Sequence, residues 1–504
     1  MRLNPVTRAS SFGLLLAAMC AFASTASAFD TGPHFDITQD VLKSEGFSPN
    51  AIATTQSANF FVDFYEFIGS GGIKKMLDGD CRAKVEDVLK LGDAQHFDDL
   101  RSTTEVAKKW DAMVDGTKSA AEDMTKKGDI LGLVTLLGMS LHNVQDFYAH
   151  SNWVEGAPTG PALGTGALAK YGDHPTWLSV DRKDREALDV YTWLDRGGVR
   201  RSHGRWDSPN DSLNKDWAGR PHHTDAYICA WFATRQWVRL YQSWVNDPAT
   251  WTKMQQLSKS TFNPDRDWEY ARKISFYGGH WYGEGGPYGL KEAFSSYVAG
   301  TSPDLLINAV YEFMGGSLCI TKRISALRTR VQDLLRTWGT MPYHGPVPVA
   351  LPSSAPETMR FVQLRVRRIE NVNGDDGFLG GQMDWYSEAV IQGQPYRSGL
   401  IDEHDNFDFE KPPYAPWIMT KALLPATDLV YIDFKLMELD YSDDDTIDIN
   451  PTKNAKDLVL GYVPSTGEVR GDLRGPSPLF VEGKGDCDCA RVKLSVSDHL
   501  GTSK

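Results

Sequence analysis

The sequence predicts a multidomain α+β protein: an N-terminal all-α domain followed by a C-terminal antiparallel β-sandwich. Three observations carry that prediction. From Phe29 to about Thr340 apolar residues recur at helical spacing. A proline-rich stretch, MPYHGPVPVALPSSAPE at 341–357, then interrupts every period and reads as a linker. From 358 to 504 the apolar period becomes two. A chain of 504 residues is long enough for two or three domains with cores of their own.

In chain order, residues 1–28 read as a secretory signal. Arg2 and Arg8 make a basic start, Phe12 to Phe22 an apolar run, and Ala26-Ser27-Ala28 a small-residue cleavage site. Processing would leave Phe29 first. It would also move the formal net charge from −13 to −15, because the removed segment holds two arginines and no acid. No later stretch is long and apolar enough to cross a bilayer. The expected location is therefore secreted or periplasmic. An acidic balance opposes loose binding to nucleic acid, so no stable nucleic-acid complex is expected. Five cysteines follow the signal, too few and too scattered for a disulfide framework.

Within 29–340, SPNAIATTQSANFFVDFYEFIG opens with Ser48 as N-cap and Pro49 in the first turn. DILGLVTLLGMSLHNVQDFYAH is mostly apolar and predicts a central buried helix starting at Asp129. HHTDAYICAWFATRQWVRLYQSWV is helical too, with Ala226, Ala230 and Ala233 leaving room for a neighbour. SPDLLINAVYEFMGG and ITKRISALRTRVQDLLRTW close this half. In the second half, Val362, Leu364 and Val366 alternate with polar residues. So do Val430, Ile432, Phe434 and Leu436, and so do Val492, Leu494 and Val496. Such runs between Gly, Asp, Asn and Pro turns predict the sandwich.

The helical half concentrates ligand chemistry, with eight of the twelve histidines before residue 230. His142, Asp146 and His150 follow one another at spacings of four. On a helix they stack along one face, neighbours roughly 6 Å apart and the outer pair roughly 12 Å. One small ion does not easily take both histidines, since its bonds are about 2 Å long. Asp146 sits between them and has an oxygen for each of two ions, the arrangement of multi-metal phosphoesterases. A lone helical histidine is usually a satisfied core residue. An aspartate on an otherwise apolar helix, however, is costly to bury without a cation. Further candidates are Asp63 with Asn59 one turn before it, His96 in DAQHFDD, His222 and His223 in GRPHHTDA, and His34 in FDTGPHFD.

LHNVQDFYAHSNWVE resembles the metal helix of the zinc-dependent phospholipase C and single-strand nuclease superfamily, most closely its Het-C-like branch. ANFFVD, HFDD and LNKDWAGRPHHTDAYICAWFATRQW are similar to further ligand segments of that branch, and the likeness spans roughly residues 29 to 250. It implies a zinc-binding phosphodiesterase-like domain holding two or three ions. Asp63, His96, His142 and Asp146 would surround one zinc. His150 and His223 would hold a second, with His222 as alternate. Asp146 would bridge towards a third, held by His34 and the free amine and carbonyl of Phe29. The family places a glutamate four residues after its later histidine; here Tyr227 follows His223, so the second ion would take Glu155, Asp225 or water instead. Zinc lowers the pKa of bound water to about 7, which makes hydroxide available for phosphodiester hydrolysis. Asp146 and Asp63 are the expected catalytic carboxylates, Asp63 orienting or deprotonating the water.

Three acidic clusters lie between the predicted strands: NGDDGFLGGQMDWY, IDEHDNFDFEKPPYAPW and ELDYSDDDTIDINP. Asp376, Asp384, Asp440, Asp444 and Asp448 are candidate calcium ligands, since calcium takes six to eight oxygens. The arrangement resembles calcium-dependent lipid-docking sandwiches of the kinase-C and synaptotagmin kind; the alternative is solvated loop tips. The leading expectation is a secreted zinc phospholipase C that docks on a phospholipid membrane surface. One alternative is a single-strand nuclease using Trp153, Trp177 and Trp206 as base platforms. Another is a non-catalytic, metal-stabilised protein that binds membranes or a partner. The sequence leaves the headgroup and any protein partner undefined.

Overall fold

The computed structural model describes residues 31–69, 96–155, 166–192, 213, 215–216, 220–261, 330–331, 333–334, 357–372, 383–398, 401, 404–410, 417–438, 444–452, 455–484 and 489–503. The side chains of Thr31, residues 63–69 and Ala169 lie outside that description. So do the expected signal, Phe29, nearly all of the stretch from 262 to 340, and the linker up to residue 356.

Helices come first and strands second. The helices are α1 (Thr31–Ser44), α2 (Pro49–Gly69), α3 (Thr103–Lys127), α4 (Ile130–His150), the short α5 (Ala167–Tyr171) and α6 (Arg182–Glu186), α7 (His223–Val245) and α8 (Pro248–Gln255). Their ends follow local chemistry. The Ser48 hydroxyl accepts from the Ala51 amide at the start of α2. Ser102 caps α3 by accepting from Glu105. Gly128, at φ 66°, takes the left-handed turn that ends α3. One residue later the Asp129 carboxylate accepts from Gly132 and starts α4.

Every residue of α4 from Gly132 to His150 is buried, as expected for a helix that is apolar on all sides. It lies among α2, α3 and α7. Gly138 sets the approach of α2. A Cβ there would stand 2.4 Å from the Thr55 carbonyl oxygen and 2.8 Å from the Ala58 Cβ. That close crossing brings Asn59 of α2 opposite His142 of α4.

The second half is two antiparallel sheets. One has strands in the order β11 (Leu479–Glu482), β12 (Ala490–Thr502), β1 (Thr358–Asn371) and β4 (Asn406–Asp408), with β5 (Trp417–Leu423) also on β1. The other runs β10 (Gly475–Pro476), β9 (Glu468–Gly471), β8 (Leu458–Val463), β6 (Val430–Glu438), β2 (Trp385–Ile391) and β3 (Gln394–Arg397), with β7 (Asp445–Ile447) on β6. The alternating apolar residues read from the sequence are the buried ones: Val362, Leu364 and Val366 on β1, Val430 to Leu436 on β6, and Val492, Leu494 and Val496 on β12. The molecule is thus α+β, helical first and an antiparallel sandwich second. Among the described residues no helix is long and apolar enough to cross a membrane.

The halves share a packed seam. Trp231 and Phe232 of α7 meet Phe361 of β1 edge-on, at ring distances of 5.7 and 5.9 Å. Buried Asp40 of α1 pairs with Lys421 of β5 and accepts from the Ala422 amide at 3.0 Å and the Trp231 indole at 3.1 Å. Arg235 and Arg239 of α7 both reach Glu45 and Glu357.

Candidate metal centre

His142, Asp146 and His150 do lie one above another on α4, and all three are fully buried. Asp146 is the pivot. Its Oδ2 accepts from the Phe97 amide at 2.9 Å and stands 3.5 Å from His96 Nδ1. Its Oδ1 accepts no hydrogen bond and faces His150 Nδ1 at 3.5 Å. Among the described residues it pairs with these two imidazoles at 3.5 Å each, and the Lys109 ammonium also feels its charge.

Two ligand sets meet at this carboxylate: His34 with His142 and Asp146, and Asp98 with Asp146 and His150. Within each set the ligand atoms lie within 4.8 Å of one another. The first set is rich in imidazole. His34 stacks on His142 with ring centres 4.4 Å apart, and His96 Nδ1 lies 3.3 Å from His142 Nε2. Neighbouring amides fix the tautomers. Asn59 donates to Gln145 Oε1 at 3.0 Å, so that oxygen is an acceptor and His34 Nδ1, 2.6 Å away, must be the donor. The Nε2 lone pair of His34 is then the one available for a cation. The same amide of Asn59 leaves its Oδ1 to accept from His142 Nδ1 at 3.2 Å, so the lone pair of His142 is on Nε2. Gln145 is itself held by the hydroxyls of Thr38 and Thr234. Such partners orient metal-binding histidines in known sites.

The electrostatics divide along the same line. Burial holds His34 down to about 4, and burial with the neighbouring imidazoles holds His142 well below the ordinary range. Both rings are neutral near pH 7, as ligation requires. Burial also pulls His150 down, but the carboxylates of Asp146, Asp98 and Asp216 outweigh it and raise its pKa well above the ordinary range. Burial pushes Asp146 up, and His150 foremost, then His96 and His142, overcome that and keep it ionised. On the second side, His150 Nδ1 lies 2.7 Å from Asp98 and its Nε2 lies 3.2 Å from Asp216. The half-buried Lys109 feels Asp98 and Asp146, but desolvation still brings it down to about 8.

Of the ligands expected for the first zinc, His96, His142 and Asp146 converge. The side chain of Asp63 lies outside the described residues. His34 joins them from the set expected for a third ion, and Phe29 lies outside the description. His223 Nδ1 meets the Lys215 carbonyl at 2.6 Å, and burial lowers the ring to about 4. His222 stands at the surface end of α7 beside Glu155 and Asp225. Glu155, expected as a substitute ligand, is taken up by the buried Lys215 at 2.9 Å. Asp98 and Asp216 stand on the two flanks of His150. Asp98 sits two residues past His96, and that adjacency was the available sequence signal; Asp216 had none.

Of the expected calcium ligands, Asp376 and Asp440 lie outside the described residues. Asp444 accepts from the Tyr386 hydroxyl at 2.6 Å and faces Arg397. Asp448 is buried, and its side chain accepts from the Asn450 amide at 2.9 Å. Asp384 precedes β2 and is half-buried. Among the described residues these three do not gather into one ligand set. Trp153 and Trp177 are buried against Phe147, so neither offers a face to a base; Trp206 lies outside the description.

The family model described as the VWA7 N-terminal domain matches residues 70–168, a span that includes His96, Asp98 and all of α4. No curated protein matches the chain. Among solved structures, a C2 domain overlaps 28% of this chain and 98% of its own at 10% identity, with a TM-score of 0.17. A tandem pair of C2 domains from extended synaptotagmin 2 overlaps 31% of this chain and 47% of its own at 13% identity, TM-score 0.19. The alpha-toxin of Clostridium perfringens overlaps 95% of this chain and all of its own at 12% identity, TM-score 0.11. Scores this low assign neither fold nor function.

Proposed function

We propose that this protein is a secreted or periplasmic metal-dependent phosphodiesterase of the phospholipase C kind, with a two-ion centre astride Asp146. One observation carries the reading: a fully buried carboxylate belongs to two sets of close ligand atoms, one oxygen facing His96 and the other, which accepts no hydrogen bond, facing His150. The donors fit cations. The His34, His96 and His142 side is nitrogen-rich and suits zinc. When bound, the ions would supply an acidified water and positive charge for the phosphate oxygens.

The chain's own groups do the rest. Gln145 and Asn59 hold two imidazoles in the ligating tautomer. Asp146 keeps the two ion positions together. Asp98, whose side chain is 15% exposed, marks the side of the centre nearest solvent, where a phosphodiester would approach. Asp63, one turn after Asn59 on α2, is the proposed group that orients the attacking water. A lipid headgroup is favoured over single strands because Trp153 and Trp177 are buried as core residues. The sandwich would serve as the membrane-facing appendage, with calcium at its acidic loops.

A second reading has an observation of its own. His34, His96, His142 and His150 are all at most 3% exposed. A centre so enclosed also fits a structural ion in a non-catalytic protein.

One experiment separates the readings. The purified full chain is assayed for zinc content, for phosphocholine release from phosphatidylcholine vesicles with and without calcium, and for cleavage of single-stranded DNA. Vesicle hydrolysis that falls at least about a thousandfold in Asp146→Asn is the expected result. Tightly held zinc with neither activity would favour the structural reading. DNA cleavage with intact vesicles would favour the nuclease. A folded protein without stoichiometric metal would overturn the two-ion centre.

A further inference from the structure

Helix α1 has two polar faces. His34 and Thr38 turn to α4, where His34 stacks on His142 and Thr38 accepts from Gln145. The other face turns to the sandwich. Gln39 donates to the Pro395 carbonyl at 3.2 Å and Lys43 to the Gly393 carbonyl at 3.3 Å. Asp40 meets Lys421 and the Ala422 amide of β5. Strand β3 ends one sheet, and β5 pairs only with β1 in the other, so α1 covers the gap between two strand edges. Helix and strand keep step across that gap, since four residues of helix advance about 6 Å and two of strand about 6.6 Å. Lys43 stands at 393 and Gln39 at 395, so Asp36, nearly one turn before Gln39, comes to Tyr396.

Polar groups gathered there lack partners. Gln394 is fully buried, and neither its side-chain nitrogen nor its oxygen makes a hydrogen bond. The Tyr396 hydroxyl, buried as well, makes none. The two side chains lie on one face of β3, two residues apart. Buried amides and hydroxyls are rarely left so. Half-buried Asp36 has no ion-pair partner among the described residues. Desolvation, and then the charge of Asp40 one turn on, hold its carboxyl well above the ordinary range. Tyr396 and Tyr227 of α7 both feel Asp36 and Asp40. The Tyr227 hydroxyl is already given to the Thr420 carbonyl at 3.4 Å.

We propose that Asp36, the Gln394 side-chain oxygen and the Tyr396 hydroxyl form a site for a monovalent metal cation, sodium or potassium, which ties α1 to β3. Donor type and charge select the ion. The donors are all oxygens, which suit hard cations. Asp40 is neutralised by Lys421, and Lys43 is exposed and bound to the Gly393 carbonyl, so one carboxylate is left without a counter-charge. A monovalent ion closes that balance. A divalent ion would leave an uncompensated charge beside buried groups. Asp36 stands about 200° round the helix from His34. This site and the centre at Asp146 therefore draw on different faces of one helix, and neither reading depends on the other.

The test is thermal unfolding of the chelator-treated full chain in sodium, potassium and choline chloride at equal ionic strength, with and without added zinc. Crystals are soaked in thallium(I) acetate, because thallium(I) replaces potassium and scatters anomalously. The expected midpoint rises with the logarithm of sodium or potassium concentration but not with that of choline, whether or not zinc is present. One thallium peak is expected between Asp36 and Gln394. Asp36→Asn should weaken the apparent cation affinity at least about tenfold, and Tyr396→Phe about two- to tenfold. If Asp36→Asn does not fold, Tyr396→Phe carries the comparison. Equal midpoints in the three salts, a cation response unchanged in the folded variants, or water in place of the thallium peak would overturn the proposal.

Discussion

His223 shows what burial does to a single imidazole. Its ring is held down to about 4 in the folded chain, mainly by burial, against 6.5 for a free histidine. Above pH 6.5 it is neutral folded or unfolded, so the stabilising neutral form is fully present. Between 6.5 and 4 the unfolded chain takes a proton that the folded chain refuses, so stability falls as pH drops. The loss approaches roughly 3 kcal/mol at the lower limit. Urea unfolding at a series of pH values should give a smaller acid loss in His223→Gln than in the parent, and equal slopes would refute the assignment. His150 has the opposite sign. Its raised pKa contributes stability below 6.5 that disappears as pH rises through the folded value. The sequence revealed the residues that obey a period: His142, Asp146 and His150 share a face because four residues are close to one turn. It showed Asp98 only as a neighbour of His96 and gave no sign of Asp216, because irregular backbone carries no period from which a side chain's direction can be read. It offered His223 as a ligand, but a helix start does not say which carbonyl takes the other ring nitrogen, here that of Lys215.

Helix α4 carries the proposed metal centre, and its contact with α2 brings Asn59 to His142. Gly138→Ala would drive a methyl against the Thr55 carbonyl and the Ala58 side chain, and the two helices would have to part. We expect a loss of about 1–3 kcal/mol. Because Asn59 rides on the displaced helix, zinc affinity should fall as well. Calorimetry with a zinc titration reads both effects, and an unchanged melting temperature with unchanged affinity would contradict the close crossing. Elements like these were legible from the sequence for a simple reason. Ser48, Asp129 and the apolar run after it are local signals, and α2 and α4 begin where those signals stand. The alternating strands were legible likewise, since period two is imposed by the pleat. The pairing of the strands was not, because which strand lies beside which depends on residues far apart in the chain.

For the molecule as a whole, the seam between helices and sandwich holds buried polar contacts beside its aromatic ones. Asp40 lies buried in it with Lys421, the Ala422 amide and the Trp231 indole all turned to it. Asp40→Ala would strand a mostly buried ammonium and two donors, a cost of about 3–5 kcal/mol. Asp40→Ala combined with Lys421→Met should recover much of that loss, as measured by chemical unfolding. If the single variant unfolds like the parent, the seam does not contribute to stability. The sequence announced two halves and a linker, but not that the halves would share buried ion pairs. Periodicity describes each half alone, and Asp40 reads on its own as a polar residue of an exposed helix face.

The sandwich has one long ladder, β1 with β12, running from Thr358 opposite Thr502 to Asn371 opposite Ala490. Its outer ends are 144 positions apart in the chain, and β1 is also the strand whose Phe361 meets α7. Ribosomal synthesis therefore delivers the helices long before the strand that backs their docking wall. Until β12 emerges, β1 has an open hydrogen-bonding edge, and the aromatic face of α7 awaits a finished surface. Closure of that ladder joins strands far apart in the chain, which makes it slow by topology. A nascent chain that stalls short of β12 would present both a sticky edge and a bare aromatic patch to the quality-control machinery.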